Sequence, residues 1–396
     1  MKERLTARKT VEISATIHFL VDLACIFLVT AFLIPLCGDR MDWVWVVMIY
    51  NMFAFAFQLP IGALGDRLGA SWNLAAMGCV LIAAAYGTAW IGAVPLAGGT
   101  GTGGELLFSG SPVGAALPIL IALIAGVGNS CFHVGCGIAV LRRSQGRAAM
   151  PGVYVSTGAF GVYLGPILAS RLGPFALGAA AGILVMLICA ICLARAGRTF
   201  AGSEGENTKE ESPQRNRSAA GPLSALMLIA VSGLLLTVLL RSYAGTIMSF
   251  SWRSAPLLGL SFTLGIVLGK MLGGVIGDRV GWMKTALASL LGAAVLFAVA
   301  MEHPAAGIIA VFLFNMTMPI TLTALADLME ELPGTAFGMT TLMLFLGTVP
   351  SLLVAVGSME KGSPGPLPVV VVLSAVFIAL GLWAGRKVIS ARDRRE

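Results

Sequence analysis

Charged residues are what this sequence has least of. Only 11% of its 396 residues are Asp, Glu, Lys or Arg, whereas a soluble domain carries about 25%. Hydrophobic residues make up 57% of the chain, and the mean hydropathy is +0.90. This composition excludes a soluble globular protein and predicts a polytopic membrane protein.

Histidine and cysteine are also scarce, with three and seven copies. All seven cysteines fall in apolar runs or at their ends, and the one Cys-x-x-Cys pair, Cys189 and Cys192, lies within a predicted helix. We interpret these thiols as packing residues. We expect no catalytic residue, no metal site and no cofactor, so a proton gradient would have to supply energy.

Long apolar runs dominate the rest of the chain. Runs of roughly 20 apolar residues cross a bilayer as helices, which satisfy the backbone polar groups internally. The sequence predicts an all-α polytopic fold with twelve transmembrane helices. They lie near residues 12–36, 44–64, 71–97, 115–140, 150–171, 174–195, 224–251, 256–277, 284–302, 304–326, 335–357 and 367–386.

The distribution of Lys and Arg sets the orientation, because cytoplasmic loops collect basic residues. With both termini inside, the outer segments hold only Arg40, Arg171, Arg253 and Lys361. We therefore predict a multi-pass protein with both termini in the cytoplasm. The same bias accounts for the net charge of +7, which does not indicate nucleic-acid binding.

One short pattern occurs twice, each time between two apolar runs. Residues 62–69 read Gly-Ala-Leu-Gly-Asp-Arg-Leu-Gly, and residues 274–281 read Gly-Val-Ile-Gly-Asp-Arg-Val-Gly. We call these segments the Asp-Arg loops and predict them to be Gly-rich turns. Their candidate gating residues are Gly62, Asp66, Arg67, Gly274, Asp278 and Arg279.

The Asp-Arg loops resemble the loop signature of the major facilitator superfamily, between helices 2 and 3 and between helices 8 and 9. The resemblance implies two pseudo-symmetric six-helix bundles. It also implies that each Asp caps a neighbouring helix and that each Arg pairs across the domain. We predict an N-terminal bundle (1–195), a polar cytoplasmic linker (196–221) and a C-terminal bundle (222–396).

The first helix carries the residues predicted to couple protons. His18 and Asp22 are four residues apart, so they share a helix face. Asp22 lies roughly 16 Å into the membrane at 1.5 Å per residue. Because a charged, lipid-facing acid costs several kcal/mol there, we expect Asp22 to face an aqueous cavity and to titrate. A neutral, hydrogen-bonded structural Asp is the alternative.

Helix 4 repeats this spacing with Asn129 and His133, which also share a face. Many drug antiporters of the superfamily carry an Arg on this helix, and Ala122 stands at that position here. Proton coupling therefore needs other residues, which favours Asp22 and the two histidines. Asn129 and His133 are predicted to line the substrate cavity.

Helix 5 resembles the antiporter signature of superfamily exporters. The matching residues are Gly152, Gly161, Gly165 and Pro166, and Ala169 replaces the final glycine. A ridge of glycines ending in Gly-Pro is expected to let helix 5 lie against helix 8 and bend. Generic packing of small residues is the alternative. The resemblance favours export over uptake.

Helices 7 and 8 contribute two intramembrane cations. Arg241 interrupts a long apolar run and is followed by Tyr243. Since helices 1 and 7 are equivalent in the repeat, Arg241 is expected to face Asp22 across a central cavity. Lys270 lies about 12 Å into the membrane and either snorkels to the interface or binds an anionic substrate.

Several segments together resemble the fosmidomycin-resistance family of proton-coupled exporters. They are His18-x-x-x-Asp22, residues 126–133, residues 155–158 with Gly165-Pro166, and residues 273–281. The resemblance implies export of a small drug-like or anionic compound from the bacterial cytoplasmic (inner) membrane. We expect a monomer that binds protons and a small-molecule substrate.

Three alternatives differ in kind from an exporter. Proton-coupled uptake of an organic anion uses the same fold, and only the direction of flux separates it from export. A non-transporting receptor or scaffold would not need two gating loops and buried charges. An intramembrane enzyme is disfavoured, because no Ser or Cys nucleophile stands beside His18, Asp22 or His133 in the predicted helices.

Overall fold

The computed structural model describes residues 2–38, 43–93, 112–172, 176–204, 222–355, 357 and 365–394. Within these ranges twelve helices are long and apolar enough to cross a membrane, and no strand is present. The predicted all-α class and the number of spans are therefore confirmed. Two of the predicted outer basic residues, Arg40 and Lys361, lie outside the described residues.

The helices are numbered α1 to α12. In the first half, α1 comprises Lys2–Leu28, a π-helical turn Val29–Leu33 and Ile34–Cys37, and α2 comprises Trp43–Asn51, a π-helical turn Met52–Ala56 and Gln58–Leu68. The others are α3 (Ser71–Ala93), α4 (Pro112–Ser144), α5 (Ala149–Leu172) and α6 (Ala176–Glu204). The second half has α7 (Pro222–Ile247), α8 (Pro256–Val280), α9 (Trp282–Val299), α10 (Pro304–Asn315 and Thr317–Leu328), α11 (Pro333–Ala355) and α12 (Leu367–Asp393).

The two halves use the same helix pairings. In the first half α1 packs against α5 and α3 packs against α6, and in the second half α7 packs against α11 and α9 against α12. The halves meet along two pairs, α5 with α8 and α2 with α11. This arrangement confirms two pseudo-symmetric six-helix bundles and places α1 and α7 at equivalent positions.

The boundary of the first bundle differs from the prediction. Helix α6 continues to Glu204, so the predicted linker 196–221 begins with helical residues. The reason is local packing, because Ala196 and Phe200 are buried and the Phe200 ring lies 5.7 Å from that of Trp72. Residues 205–221 lie outside the described ranges.

Candidate functional site

The first Asp-Arg loop binds the second half of the protein. The Asp66 carboxylate accepts hydrogen bonds from the backbone N–H groups of Gly334 and Thr335, both at 2.7 Å, and from the Thr335 hydroxyl at 2.8 Å. These groups form the N-terminus of α11, where unpaired N–H groups and the helix dipole favour an anion. Asp66 therefore caps a helix of the opposite half, as the resemblance implied.

The second Asp-Arg loop makes the reciprocal contact. The Asp278 carboxylate accepts from the backbone N–H groups of Ala148 and Ala149, both at 2.9 Å, where α5 begins. The Trp282 indole also donates to Asp278, at 3.1 Å. The two caps lie on one side of the membrane, which we call the Asp-Arg side, and together they hold the halves closed there.

Two glycines allow these caps to form. A methyl group at Gly62 would overlap the Gly334 carbonyl, and a methyl at Gly274 would overlap the Ala148 carbonyl. Backbones of opposite halves therefore touch next to each cap. The prediction that the Asp-Arg segments are turns is wrong for most of their length. They continue α2 and α8, and the chain leaves each helix only at Gly69 (φ +65°) and Gly281 (φ +105°).

The arginines of the two Asp-Arg loops do not make the pairing that the resemblance implied. Arg67 and Arg279 are exposed, and among the described residues neither forms an ion pair with a carboxylate. The predicted pairing of each Arg across the domain is therefore not found in this conformation. Of each Asp-Arg pair, it is the carboxylate that hydrogen-bonds to the opposite half.

A cluster of three titratable side chains lies inside the first half. His18 and Asp22 share a face of α1 as predicted, with His18 Nε2 at 3.2 Å from Asp22 Oδ2. His133 joins them from α4, with its Nε2 at 3.3 Å from Asp22 Oδ1 and 2.9 Å from His18 Nε2. We call these residues the His-Asp-His cluster. Their side chains are only 7–14% exposed.

Asn129 supports the cluster from one turn earlier on α4. Its carbonyl oxygen lies 2.9 Å from His133 Nδ1, and its amide nitrogen lies 3.5 Å from the Cys25 sulfur of α1. Asn129 therefore fixes the His133 ring and contacts α1. The Asn129 side chain is buried, so its contacts do not support the prediction that it lines the substrate cavity.

Helix α5 supplies groups that the sequence analysis missed. The Tyr154 carbonyl oxygen lies 2.7 Å from His18 Nδ1, and the Tyr154 hydroxyl donates to the His133 carbonyl at 3.1 Å. Gly158 faces the cluster, and a methyl there would overlap Asp22 and His18. Tyr154 and Gly158 are four residues apart, so helical spacing was the signal that they share this face.

The glycines of α5 do not form one ridge against α8. Gly152 lies against α8, where a methyl would come 2.8 Å from the Lys270 carbonyl oxygen. Gly161 and Gly165 instead lie against α1, at Phe19–Leu23 and at Ile26. Helix α5 does lie against α8 as predicted, but of these glycines it is Gly152 that makes the contact, and Pro166 lies within a continuous α5 with its ring exposed.

The two cations of the second half have different surroundings. Arg241 is buried, its guanidinium carbon lies 5.0 Å from the centre of the Phe314 ring, and its Nε has no hydrogen-bond partner. Among the described residues Arg241 makes no ion pair with Asp22, and the expectation that the two face each other across a cavity stays a prediction. Tyr243 is partly buried and packs against the hydrophobic core.

Lys270 is the cation that reaches the first half. Its ammonium nitrogen lies 3.3 Å from the Val155 carbonyl oxygen of α5, and it is within electrostatic range of both Asp22 and Arg241. The snorkelling alternative is therefore not supported, because the side chain points toward the interface between the halves. Val155 directly follows Tyr154, which holds His18.

The fold and the two reciprocal caps define a polytopic transporter built from two repeated halves. The family model of the Major Facilitator Superfamily matches residues 17–352, and the chain belongs to this superfamily. A curated relative, the fosmidomycin resistance protein of Escherichia coli (strain K12), is 27% identical over 191 residues. That match covers 44% of this chain and 46% of the relative, so it spans about half of either protein.

Solved structures agree with the fold. The fucose:proton symporter FucP of Escherichia coli aligns with a TM-score of 0.56 and 13% identity, over 97% of this chain and 99% of that chain. FucP in the outward conformation aligns with a TM-score of 0.52 and 15% identity, over 95% of this chain and 99% of that one. At these identities the likeness shows the fold alone.

Proposed function

We propose that the protein is a proton-coupled antiporter that exports a small drug-like or anionic solute by alternating access. The observation that carries this proposal is the His-Asp-His cluster, because a buried acid and two histidines inside a transporter half suit reversible protonation. The α5 glycines that resemble the antiporter signature and the name of the curated relative support export. Members of the superfamily are transporters, in keeping with a role that is not enzymatic.

The bias of Lys and Arg supports an orientation with the Asp-Arg side in the cytoplasm. The closed side then faces the cytoplasm. We place the protein in a bacterial cytoplasmic (inner) membrane with both termini inside. One chain carries both halves and both caps, so we expect a monomer to be sufficient.

The proposed cycle uses the two halves differently. In the outward-facing state the cluster takes a proton from outside. Opening to the cytoplasm requires Asp66 and Asp278 to leave the N-termini of α11 and α5, after which the proton is released and a solute binds. Arg241 and Lys270 would hold an anionic group of that solute, since neither forms an ion pair among the described residues.

Electrostatics favours a second candidate function if the solute is an anion. A proton added to the cluster makes the surroundings of Lys270 more positive, which strengthens the binding of an anion. Reciprocal coupling then means that an anion and a proton bind together. Proton-coupled uptake of an organic anion is therefore the second candidate, whereas a cationic solute would be displaced by the proton, as exchange requires.

The test uses inside-out vesicles with a preset proton gradient and a pH-sensitive dye. Phosphonates, organic anions, sugars and cationic drugs are added one class at a time, to wild-type protein and to Asp22→Asn. We expect one class to dissipate the gradient in the wild type and not in the variant. Dissipation only in the opposite membrane orientation would support uptake, and no flux in either orientation would support a receptor or scaffold.

A further inference from the structure

The two imidazole rings of the His-Asp-His cluster are held in the same way. His18 Nδ1 lies 2.7 Å from the Tyr154 carbonyl oxygen, and His133 Nδ1 lies 2.9 Å from the Asn129 carbonyl oxygen. A carbonyl oxygen only accepts hydrogen bonds, so each Nδ1 must carry a hydrogen. Two backbone contacts, on α5 and α4, therefore fix the protonation of this nitrogen in both rings.

This assignment leaves the two Nε2 atoms without hydrogens in neutral rings. They lie 2.9 Å from each other, and the Asp22 oxygens lie 3.2 Å and 3.3 Å from them. Two lone pairs facing each other at this distance repel, and an ionised carboxylate adds only further acceptors. The contact is attractive only when a hydrogen lies between the two Nε2 atoms, which makes one ring an imidazolium.

We infer that His18, Asp22 and His133 form one proton site, in which a single extra proton is shared between the two Nε2 atoms while the Asp-Arg side is closed. His133 of α4 thereby becomes a proton-carrying residue alongside those of α1. One imidazolium and one carboxylate leave the loaded cluster neutral, which suits its burial. The role of this site in coupled transport rests on the proposed function.

Release of the proton changes the charge of the cluster from zero to minus one. Cys25 of α1, Tyr50 of α2, Tyr154 of α5 and Lys270 of α8 are the other titratable side chains within electrostatic range of Asp22 among the described residues. Lys270 is the cation in this group. The empty cluster therefore attracts Lys270 away from Val155.

The experiment exploits the three histidines of the chain. Wild-type protein is labelled with ¹⁵N-histidine, carries an affinity tag without histidine and is studied by NMR in a membrane mimetic. His303→Gln assigns the third ring, which belongs to the residue preceding α10 and is distant from the cluster in sequence. We expect protonated Nδ1 atoms in both cluster rings and a direct ¹⁵N–¹⁵N coupling between their Nε2 atoms. The coupling should disappear as the pH is raised.

Two spectroscopic results would overturn the inference. One is a pair of rings protonated on Nε2 with no coupling between them. The other is a pattern that changes when EDTA is added, since the ligand atoms of the three side chains lie within 4.8 Å of one another and a metal ion would then occupy the position assigned to the proton. Neither result depends on flux, so they are distinct from a failure of the proposed function.

A variant adds a functional readout. We expect His133→Gln to shift the pH at which coupled flux is half-maximal, whereas His303→Gln should leave the profile unchanged. An unchanged profile in folded His133→Gln would contradict a shared proton, because Asp22 and His18 would then titrate without it. If His133→Gln does not fold, the ¹⁵N–¹⁵N coupling in the wild-type spectrum tests the shared proton by itself.

Discussion

The α1–α5 contact of the first half and the α7–α11 contact of the second half are equivalent, but different side chains lie at them. Gly161 of α5 packs against α1 beside Asp22, and Gly347 of α11 packs against α7 beside Ser242. The Ser242 hydroxyl donates to the Leu344 carbonyl at 2.6 Å, so it is satisfied within its own half. Asp22 instead faces the two imidazole rings of His18 and His133.

The features that both halves share close the protein on the Asp-Arg side. The feature that differs between the halves is the one that we propose couples transport to protons. Both halves provide an Asp that caps a helix of the other half, at Asp66 and Asp278. A titratable group, Asp22, lies at the α1–α5 contact, and the neutral Ser242 lies at the equivalent α7–α11 contact. The second half has an unpaired buried cation, Arg241, next to its neutral Ser242. A proton and a solute can therefore be handled by different halves of one symmetric frame.

The largest expected effect comes from removing the charge that distinguishes the first half from the second. Asp22→Asn keeps the size of the side chain but removes the charge that binds both imidazoles, so proton-driven flux should fall to the level of empty vesicles. Exchange of solute for solute should persist, because it needs no net proton movement. Both rates are measured with the solute found in the vesicle assay.

The matched control for Asp22→Asn is Ser242→Ala. It removes a hydroxyl at the equivalent position of the second half, where only one neutral hydrogen bond is lost. We expect coupled flux close to that of the wild type. Normal coupled flux in Asp22→Asn, or an equal loss in Ser242→Ala, would contradict the asymmetry.

The second effect separates the two caps. Asp66 accepts from two backbone N–H groups and a hydroxyl, whereas Asp278 is exposed and accepts from two N–H groups and an indole. Hydrogen bonds to charged groups contribute about 1.5–3 kcal/mol each. Asp66→Asn should lower the population closed on the Asp-Arg side by at least tenfold, about 1.4 kcal/mol, and Asp278→Asn by less.

Spin labels measure this population. Leu68 and Val280 end the two Asp-Arg helices, are 62% and 56% exposed, and accept cysteines in a Cys192→Ser background. The distance between the labels reports closure directly. Arg67→Gln is the control, because an exposed side chain without an ion pair should change closure by less than about 0.5 kcal/mol. A larger shift for Arg67→Gln than for Asp66→Asn would refute the assignment of closure to the carboxylates.

The smallest effect concerns stability. A methyl at Gly161 would meet the backbone of Phe19 and Leu23, which cannot move aside as a side chain end can. Gly161→Ala should therefore lower the free energy of unfolding by about 1–3 kcal/mol, seen as a lower Tm. Gly87→Ala in α3 meets nothing within 4 Å and should raise the Tm slightly, because Ala favours a helix by about 1 kcal/mol. An equal decrease in both would show that the α1–α5 contact is not the cause of the loss.

Helical spacing predicted what lies along one helix. It placed His18 with Asp22 and Asn129 with His133, because residues four apart share a face. It did not bring His133 to His18, since that contact depends on how α4 is rotated against α1. It also could not place the Arg241 guanidinium on Phe314 of α10, because no pattern within α7 indicates that neighbour.

The error in α5 was avoidable from spacing alone. Gly152 and Gly161 are nine residues apart, and at about 100° per residue they point in nearly opposite directions. They cannot both face α8. Gly158, Gly161 and Gly165 are separated by three and four residues, so they share the face that packs on α1. The same rule, applied across the whole helix, would have grouped Gly158 with Gly161 and Gly165 on one face.

The most direct test of proton exchange needs only purified protein. Wild-type protein is held in weakly buffered solution with a pH indicator, and the solute identified in the vesicle assay is added. The account predicts that protons are released as the solute binds, and that Asp22→Asn releases none. Proton uptake on binding would contradict exchange and support co-transport, and an unchanged pH with saturating solute would contradict proton coupling altogether.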